Sequence, residues 1–296
     1  MAEVRTATAV ERDGHPRADQ FTGERHVYEP HPIGLPPLGP YFRALWQRRQ
    51  FAFALARTNL RSQHFNTALG QLWLLLNPVL LALVYFTLVE IIRSGSRSID
   101  FLAHLMLCLF AFRLVSRSVS QGTRSVVGGG RLILNTAFPR TVLPLTAVMT
   151  SFMTFLPTLL VYAVVHGIAG LPVDANLLWG IPIILMMLVF GVGAAMMAAT
   201  AQVYFRDLAN FLPYATRIWL YTSPILFYTD EVPEGLKPIL QLNPLWPMLG
   251  SLSDVVNAGQ APSPGYLAWS LAWALGTLIA GGLFFISRER EFAVRL

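Results

Sequence analysis

RTNLRSQHFNTALGQLWLLLNPVLLALVYFTLVEII, residues Arg57 to Ile92, decides the fold. The stretch opens with arginines among scattered apolar residues, breaks at Leu69-Gly70, and runs apolar from Leu72 to Ile92. As a helix rising ~1.5 Å per residue, that run spans ~30 Å of hydrocarbon and makes one membrane crossing. Arg43, Arg48, Arg49, Arg57 and Arg61 all precede it. Arginines resist translocation, so they hold the N-terminal side in the cytoplasm.

Composition agrees with a membrane solvent. The chain is 54% hydrophobic and 13% charged, with mean hydropathy +0.51, whereas a soluble domain carries roughly 25% charged residues. Residues 1–40 are polar and proline-bearing, with no apolar leader, and are expected to form a flexible cytoplasmic extension. Within it, His26 to Pro40 (HVYEP and GLPPLGP) is either plain tail or a docking strip. The sole cysteine, Cys108, excludes a disulfide framework or a cysteine metal site within one chain. A pI near 9.8 does not call for nucleic acid, because the arginines gather on one side of the membrane rather than along a groove-reading element.

Outward from the opening stretch, residues 41–66 are expected to be an interfacial helix. Phe42, Trp46, Phe53, Ala56 and Leu60 recur at spacings near three and four among the arginines, as suits a helix lying flat on the inner leaflet. Crossings are expected at about 72–92, 101–119, 141–167, 177–203, 211–228 and 266–286. The fold class is therefore an all-α integral membrane protein with six transmembrane helices and both termini cytoplasmic. Of the 22 basic residues, only Arg93, Arg97 and Lys237 fall on the far side of that arrangement. Residues 229–264 hold prolines and acids around an apolar middle, which fits a re-entrant helical hairpin in the outer leaflet.

Three stretches carry local expectations. In the second crossing, Arg113 and Arg117 either face protein and water or snorkel to the cytoplasmic edge, since a mid-membrane charge costs ~2.5 to 3.5 kcal/mol. Gly128-Gly129-Gly130 is expected to be a flexible lead into LILNTAF, because no lysine follows to make a phosphate cradle. GVGAAMMAATA (Gly191 to Ala201) predicts close helix packing, a subunit contact being one place for it.

Chemistry-bearing groups are sparse. Asp230, Glu231 and Glu234 are the closest acids, and a solvated loop accounts for them better than a metal or catalytic site. His64, His104 and His166 lie apart in this topology, so no metal site is expected. Ion coupling lacks support: only Glu90 is near a crossing, and no internal repeat is present. A P-loop needs lysine followed by Ser or Thr, whereas the single lysine reads Lys237-Pro238, so any ATP must be handled by another polypeptide.

LRSQHFNTALGQLWLLLNPVLLALVY (Leu60 to Tyr85) resembles the start of polysaccharide-type ABC exporter permeases, the O-antigen, teichoic acid and galactan export family. The likeness continues in LILNTAFPRTVLPL (Leu132 to Leu145), YFRDLANFLPYATRIWLYTSPILF (Tyr204 to Phe227) and NPLWPM (Asn243 to Met248). It covers roughly residues 40–290 and, with the HVYEP extension, is most like actinobacterial permeases of cell-wall galactan export. The resemblance implies a homodimeric transport subunit, not an enzyme, paired with two ABC nucleotide-binding subunits and exporting a lipid-linked polysaccharide through the plasma membrane. ATP and magnesium would then be bound only by those partner subunits, with no cofactor on this chain.

Carried onto this sequence, the resemblance implies that the lipid-pyrophosphate head loads at Leu69-Gly70, with Arg57 and Arg61 as the arginines best placed to meet it; their competing role is to enforce topology. Leu132, Asn135, Phe138, Arg140, Arg206 and Asp207 match ATPase-contacting elements, and Pro244, Trp246, Pro247 and Leu249 match the extracytoplasmic gate. Aromatic and polar walls can guide a sugar chain without holding it. Trp73, Tyr85, Trp219, Tyr221 and Tyr228 are therefore candidates for the path, each with membrane-belt packing as its alternative. Arg113 joins them, falling where relatives more often carry apolar or aromatic residues. At His64-Phe65 relatives commonly carry an Arg-Tyr pair. A drug or small-lipid ABC permease shares the layout and is the rival; a membrane-embedded glycan-modifying enzyme ranks third.

Overall fold

The computed structural model describes residues 37–63, 67–92, 98–135 and 138–295, and among them every regular element is helical. The helices are α1 (Leu38–Gln47), α2 (Arg49–Ser62), α3 (Trp73–Ile92), α4 (Ile99–Gly128), α5 (Gly130–Asn135), α6 (Val142–Ile168), α7 (Gly180–Tyr204), α8 (Leu208–Tyr221), α9 (Lys237–Leu240), α10 (Leu245–Val256), α11 (Pro264–Arg288) and α12 (Phe292–Arg295). Among the described residues five helical stretches are long and apolar enough to cross a membrane: Gly70–Ile92, Ile99–Gly128, Val142–Ile168, Ala175–Tyr204 and Pro264–Arg295. The extension over 1–40 lies outside the described residues except at 37–40, where α1 begins. His64, Arg93 and Arg97 also lie outside them.

α4 is the central post. It packs between α6 and α7 and also meets α3, α8 and α10. Inside the protein lies 78% of its apolar window, against 22% for α3, which leaves α3 peripheral. α4 also runs nine residues past the expected end at Val119. Its polar C-terminal turns stay helical because their hydroxyls bond back onto the helix: Ser118 to the Leu114 carbonyl, Thr123 to Val119 and Ser125 to Gly122, each at 2.7 Å. Those bonds spare the side chains an unpaired burial.

Other boundaries differ for equally local reasons. The interfacial segment is two helices, α1 and α2, joined at Arg48. The glycine run is a tight helix-to-helix junction: a Cβ on Gly129 would press on a Leu143 methyl carbon at 2.9 Å. The stretch expected to cross at 211–228 is not one long helix, since α8 stops at Tyr221 after 14 residues, or ~21 Å of rise. Pro224, lacking an N–H, follows the break. Asn243 compensates by donating to the Thr222 carbonyl at 3.2 Å and to Ser223 Oγ at 2.9 Å.

The small-residue patch of α7 packs inside the chain. A Cβ on Gly193 would overlap the Thr277 carbonyl of α11, and one on Gly281 would overlap the Gly193 carbonyl. On the other side of α7, a Cβ on Gly122 of α4 would overlap Ala195. Backbone thus meets backbone, the close approach that small residues permit when water is not available to drive association.

Candidate translocation face and cytoplasmic coupling site

The residues expected to line a path do not share one surface. Trp219 is an inward anchor: its Nε1–H donates to Asn243 Oδ1 at 2.8 Å, and its ring sits edge-on to Phe112 and Phe190 at 5.7 and 6.1 Å. Tyr85 and Tyr221 meet edge-to-face at 6.5 Å where α3 and α8 adjoin. Tyr221 is exposed, as are Phe211, Tyr214 and Ile218 of α8 and Leu80 and Val84 of α3. Trp73 is half-buried at the start of α3. Arg113 joins Arg117, Thr154 and Thr158 around a narrow cavity between α3, α4 and α6.

At the bundle end away from α1 and α2, Tyr228 packs against His104 at 4.4 Å and Phe101 at 5.7 Å. It borders a cavity of about 530 Å³ that Asp100, Asp230 and Asp254 also line. Burial, then the nearby Asp230 charge, raises the Asp254 carboxyl above the usual carboxylate range. The hairpin residues matched to a gate pack within the protomer: Trp246, Pro247 and Leu249 are buried and Pro244 is half-buried. The polar end of α10 holds a relay. His104 Nδ1 lies 2.6 Å from Ser253 Oγ, Asn257 Nδ2 donates to Ser253 Oγ at 3.4 Å, and Tyr162 donates to Asn257 Oδ1. Tyr162 also pairs with His166 Nδ1 at 3.2 Å. His104 and His166, expected far apart, are therefore the two ends of one bridged polar chain.

Toward α2 the turn at Leu69-Gly70 is built by Gly70, whose φ of +49° favours a residue without Cβ. Gln71 Nε2 donates to the Arg61 carbonyl at 3.3 Å, satisfying an orphan acceptor at the end of α2. α2 buries Ala52 and Ala56 and is tied to α6 by the Thr150 hydroxyl donating to the Ala56 carbonyl at 3.4 Å. At 100° per residue, Arg57 and Arg61 fall on the face opposite that stripe, and both are exposed.

The residues expected to contact an ATPase lie on α5 and on two loops, and the C-terminal tail straps the loops together. In the first loop Phe138 meets Phe51 edge-on at 6.0 Å, and in α5 before it Leu132 packs on the cluster of Ile133, Leu143, Phe285 and Phe292. The Arg140 backbone N–H donates to the Glu289 carboxylate, and its guanidinium to the Glu289 carbonyl. Tyr41 of α1 donates to the same carboxylate at 2.5 Å and contacts the Thr141 hydroxyl. Burial, then the Glu289 charge, pushes the Tyr41 phenol well above its usual range, so it stays a donor. In the second loop, Tyr204 donates to Glu291 at 2.6 Å, Arg295 sits 4.3 Å over the Tyr204 ring, and Arg206 donates to the Arg295 carbonyl at 3.1 Å. Asp207 precedes α8, its carbonyl accepting from Asn210 and Phe211. Asn135 ends α5, and its side chain lies outside the described set.

Residues 49–257, well over half of the chain, match the ABC-2 type transporter family. The chain belongs to that family. Among curated relatives, this ABC-2 permease is 29% identical over 206 residues to an O-antigen export system permease protein RfbA of Klebsiella pneumoniae, covering 69% of this chain and 79% of that one. It is 28% identical over 258 residues to a protein of the same description in Myxococcus xanthus, covering 85% of this chain and 97% of the relative. An ABC-2 permease is the membrane subunit of a transporter and pairs with an ABC ATPase subunit. Its apolar helices make it a multi-pass plasma-membrane protein.

Four residues of this ABC-2 permease that bear on the site escaped sequence reasoning: Glu289, Glu291, Gln202 and Asn243. The acids interrupt an otherwise basic tail, a visible oddity, but their partners lie up to 248 positions away. Gln202 pins the second loop by donating to the Arg206 carbonyl at 2.7 Å and accepting from the Ala209 N–H at 2.8 Å.

Proposed function

We propose that this chain is the membrane subunit of an exporter that moves a polyprenyl-pyrophosphate-linked polysaccharide, a cell-wall galactan, from the cytoplasm to the outer face of the plasma membrane. The observation that carries it is similarity over most of the chain to two permeases described as serving O-antigen export. Two copies form the conduit, each with six crossings, α8 and the residues to 228 supplying the fifth, and both termini cytoplasmic. The hairpin over 229–264 dips into the outer leaflet, with Pro244, Trp246, Pro247 and Leu249 framing its gate. The open sides of α3 and α8, with Tyr85 and Tyr221, support a wall that a second copy completes; Trp73, Arg113, Trp219 and Tyr228 shape it from behind or at its mouths. The head group loads at Leu69-Gly70, guided by the exposed Arg57 and Arg61.

Energy comes from two ATPase subunits docked on the loops around Leu132 to Arg140 and Arg206-Asp207, which alone bind ATP and magnesium. Depleting the permease in the producing cell tests the role. Finished lipid-linked galactan should accumulate on the cytoplasmic side while surface galactan falls; normal surface galactan would overturn the proposal.

A further inference from the structure

A cleft of about 820 Å³ opens between α2, the C-terminal half of α4, α5 and the start of α6. Its polar lip includes Gln63, Gln121, Arg124, Ser125 and Arg131. Its floor is apolar, with Leu55, Leu143 and Ala147. Gln63 also accepts from the Arg117 guanidinium at 3.2 Å, linking the cleft to the narrow cavity that holds Arg113 and Arg117. On α4, Arg113, Arg117, Gln121 and Arg124 recur near multiples of the helical repeat, so they form one stripe ~16 Å long.

None of these cleft and cavity linings contains an acidic side chain, and among the described residues Arg113, Arg117, Arg124 and Arg131 form no ion pair. Arg113 and Arg117 are half-buried, where a charge without a counter-charge is costly to desolvate, while Arg124 and Arg131 stand exposed at the lip and add to the same positive field. No carboxylate among the described lining residues offsets that charge, which leaves the cleft open to an anionic ligand. The shape narrows the choice: a basic rim with amide and hydroxyl partners holds phosphate oxygens, while the apolar floor takes the first carbons of a hydrocarbon chain. We propose that this cleft binds the phosphate head group of a lipid. The assignment deepens the export role proposed above, from which it takes the placement of α2 at the inner leaflet and the approach by Leu69-Gly70; the lipid then docks against α4.

The test reads binding on the full-length permease in detergent, by native mass spectrometry, with geranyl diphosphate, phosphatidylglycerol and inorganic diphosphate as probes. Wild-type protein should retain at least one lipid probe. Arg124→Gln with Arg131→Gln should weaken it about tenfold or more per arginine, as expected for charge-assisted hydrogen bonds. Gly128→Trp should weaken it similarly without changing charge, because Gly128 lines the cleft and nothing lies within 4 Å of where its Cβ would stand. Tighter retention of geranyl diphosphate assigns the site to the polyprenyl carrier, tighter retention of phosphatidylglycerol to bulk anionic lipid, and either upholds it. Inorganic diphosphate should compete far more weakly; equal competition would overturn the lipid assignment. Unchanged retention in both cleft variants, their melting temperatures being like wild type, would overturn the site. So would loss that follows Arg57→Gln with Arg61→Gln instead. Binding is measured without transport, so its failure leaves the export role standing, and normal surface galactan on depletion would leave the binding standing.

Discussion

Glu289 shows how one carboxylate can hold three distant segments. It is 8% exposed and receives Tyr41 from α1 and the Arg140 N–H from the first loop. Glu289→Ala leaves the Arg140 backbone N–H without its acceptor, at about 1–3 kcal/mol, and the part-buried Tyr41 hydroxyl with Thr141 alone. Tyr41→Phe should cost less, since it removes a donor and leaves the carboxylate its other contacts. Thermal unfolding in detergent checks the order, and a Glu289→Ala protein that melts with wild type would remove the node. The pH sign follows from the Tyr41 phenol, which burial and Glu289 raise. Its contribution is complete below the unfolded value of ~10 and is lost only as pH climbs toward the folded one. Burial raises the Glu289 carboxyl as well, so the comparison belongs above the carboxylate range, and Tyr41→Phe should destabilise equally at pH 8 and pH 9. None of this was legible in the sequence, where Tyr41, Arg140 and Glu289 are single letters with no spacing rule to join them. Gly70 was legible, because a helix stop followed by a long apolar run calls for a turn residue.

Long apolar runs reveal themselves at the element scale, and the five membrane-length stretches coincide with runs readable by hydropathy. The ends of elements were less visible. α4 carries on through SRSVSQGTRSVVG because its hydroxyls satisfy themselves on their own helix, a bond that polarity scales count as solvent-seeking. α8 breaks before Pro224 and borrows Asn243, a partner beyond the reach of local pattern. Asn243→Ala should thus destabilise the broken end by about 1–3 kcal/mol, as unpaired acceptors do; an unchanged melting temperature would argue against that role. The α7–α11 crossing leaves no room for a methyl group. Gly193→Ala or Gly281→Ala must push two backbones apart, at ~1–3 kcal/mol or more. Gly276→Ala on the same helix meets nothing within 4 Å and should be neutral. The yield of folded protein from size-exclusion chromatography separates the two cases.

In the whole molecule, charge, open faces and the strapped loops divide the labour. The tail from Glu289 to Arg295 touches both loops, so a push on either is shared with α11 and, through Tyr41, with α1. Arg206→Ala cuts the link to the Arg295 carbonyl and should lower the transport gained per ATP hydrolysed while ATPase binding persists; normal coupling would take Arg206 off the contact surface. The arginine-lined cleft was not legible in the sequence, since it needs α2 folded back against α6 and alongside α4.

Reconstitution in sealed liposomes with a fluorescent polyprenyl-diphosphate glycan tests the division of labour between conduit and motor most directly. With the ATPase subunit present, ATP should carry the glycan to the far leaflet, and the permease alone should do so neither with ATP nor without it. ATP-driven transfer by the lone permease, or none by the pair, would contradict the account.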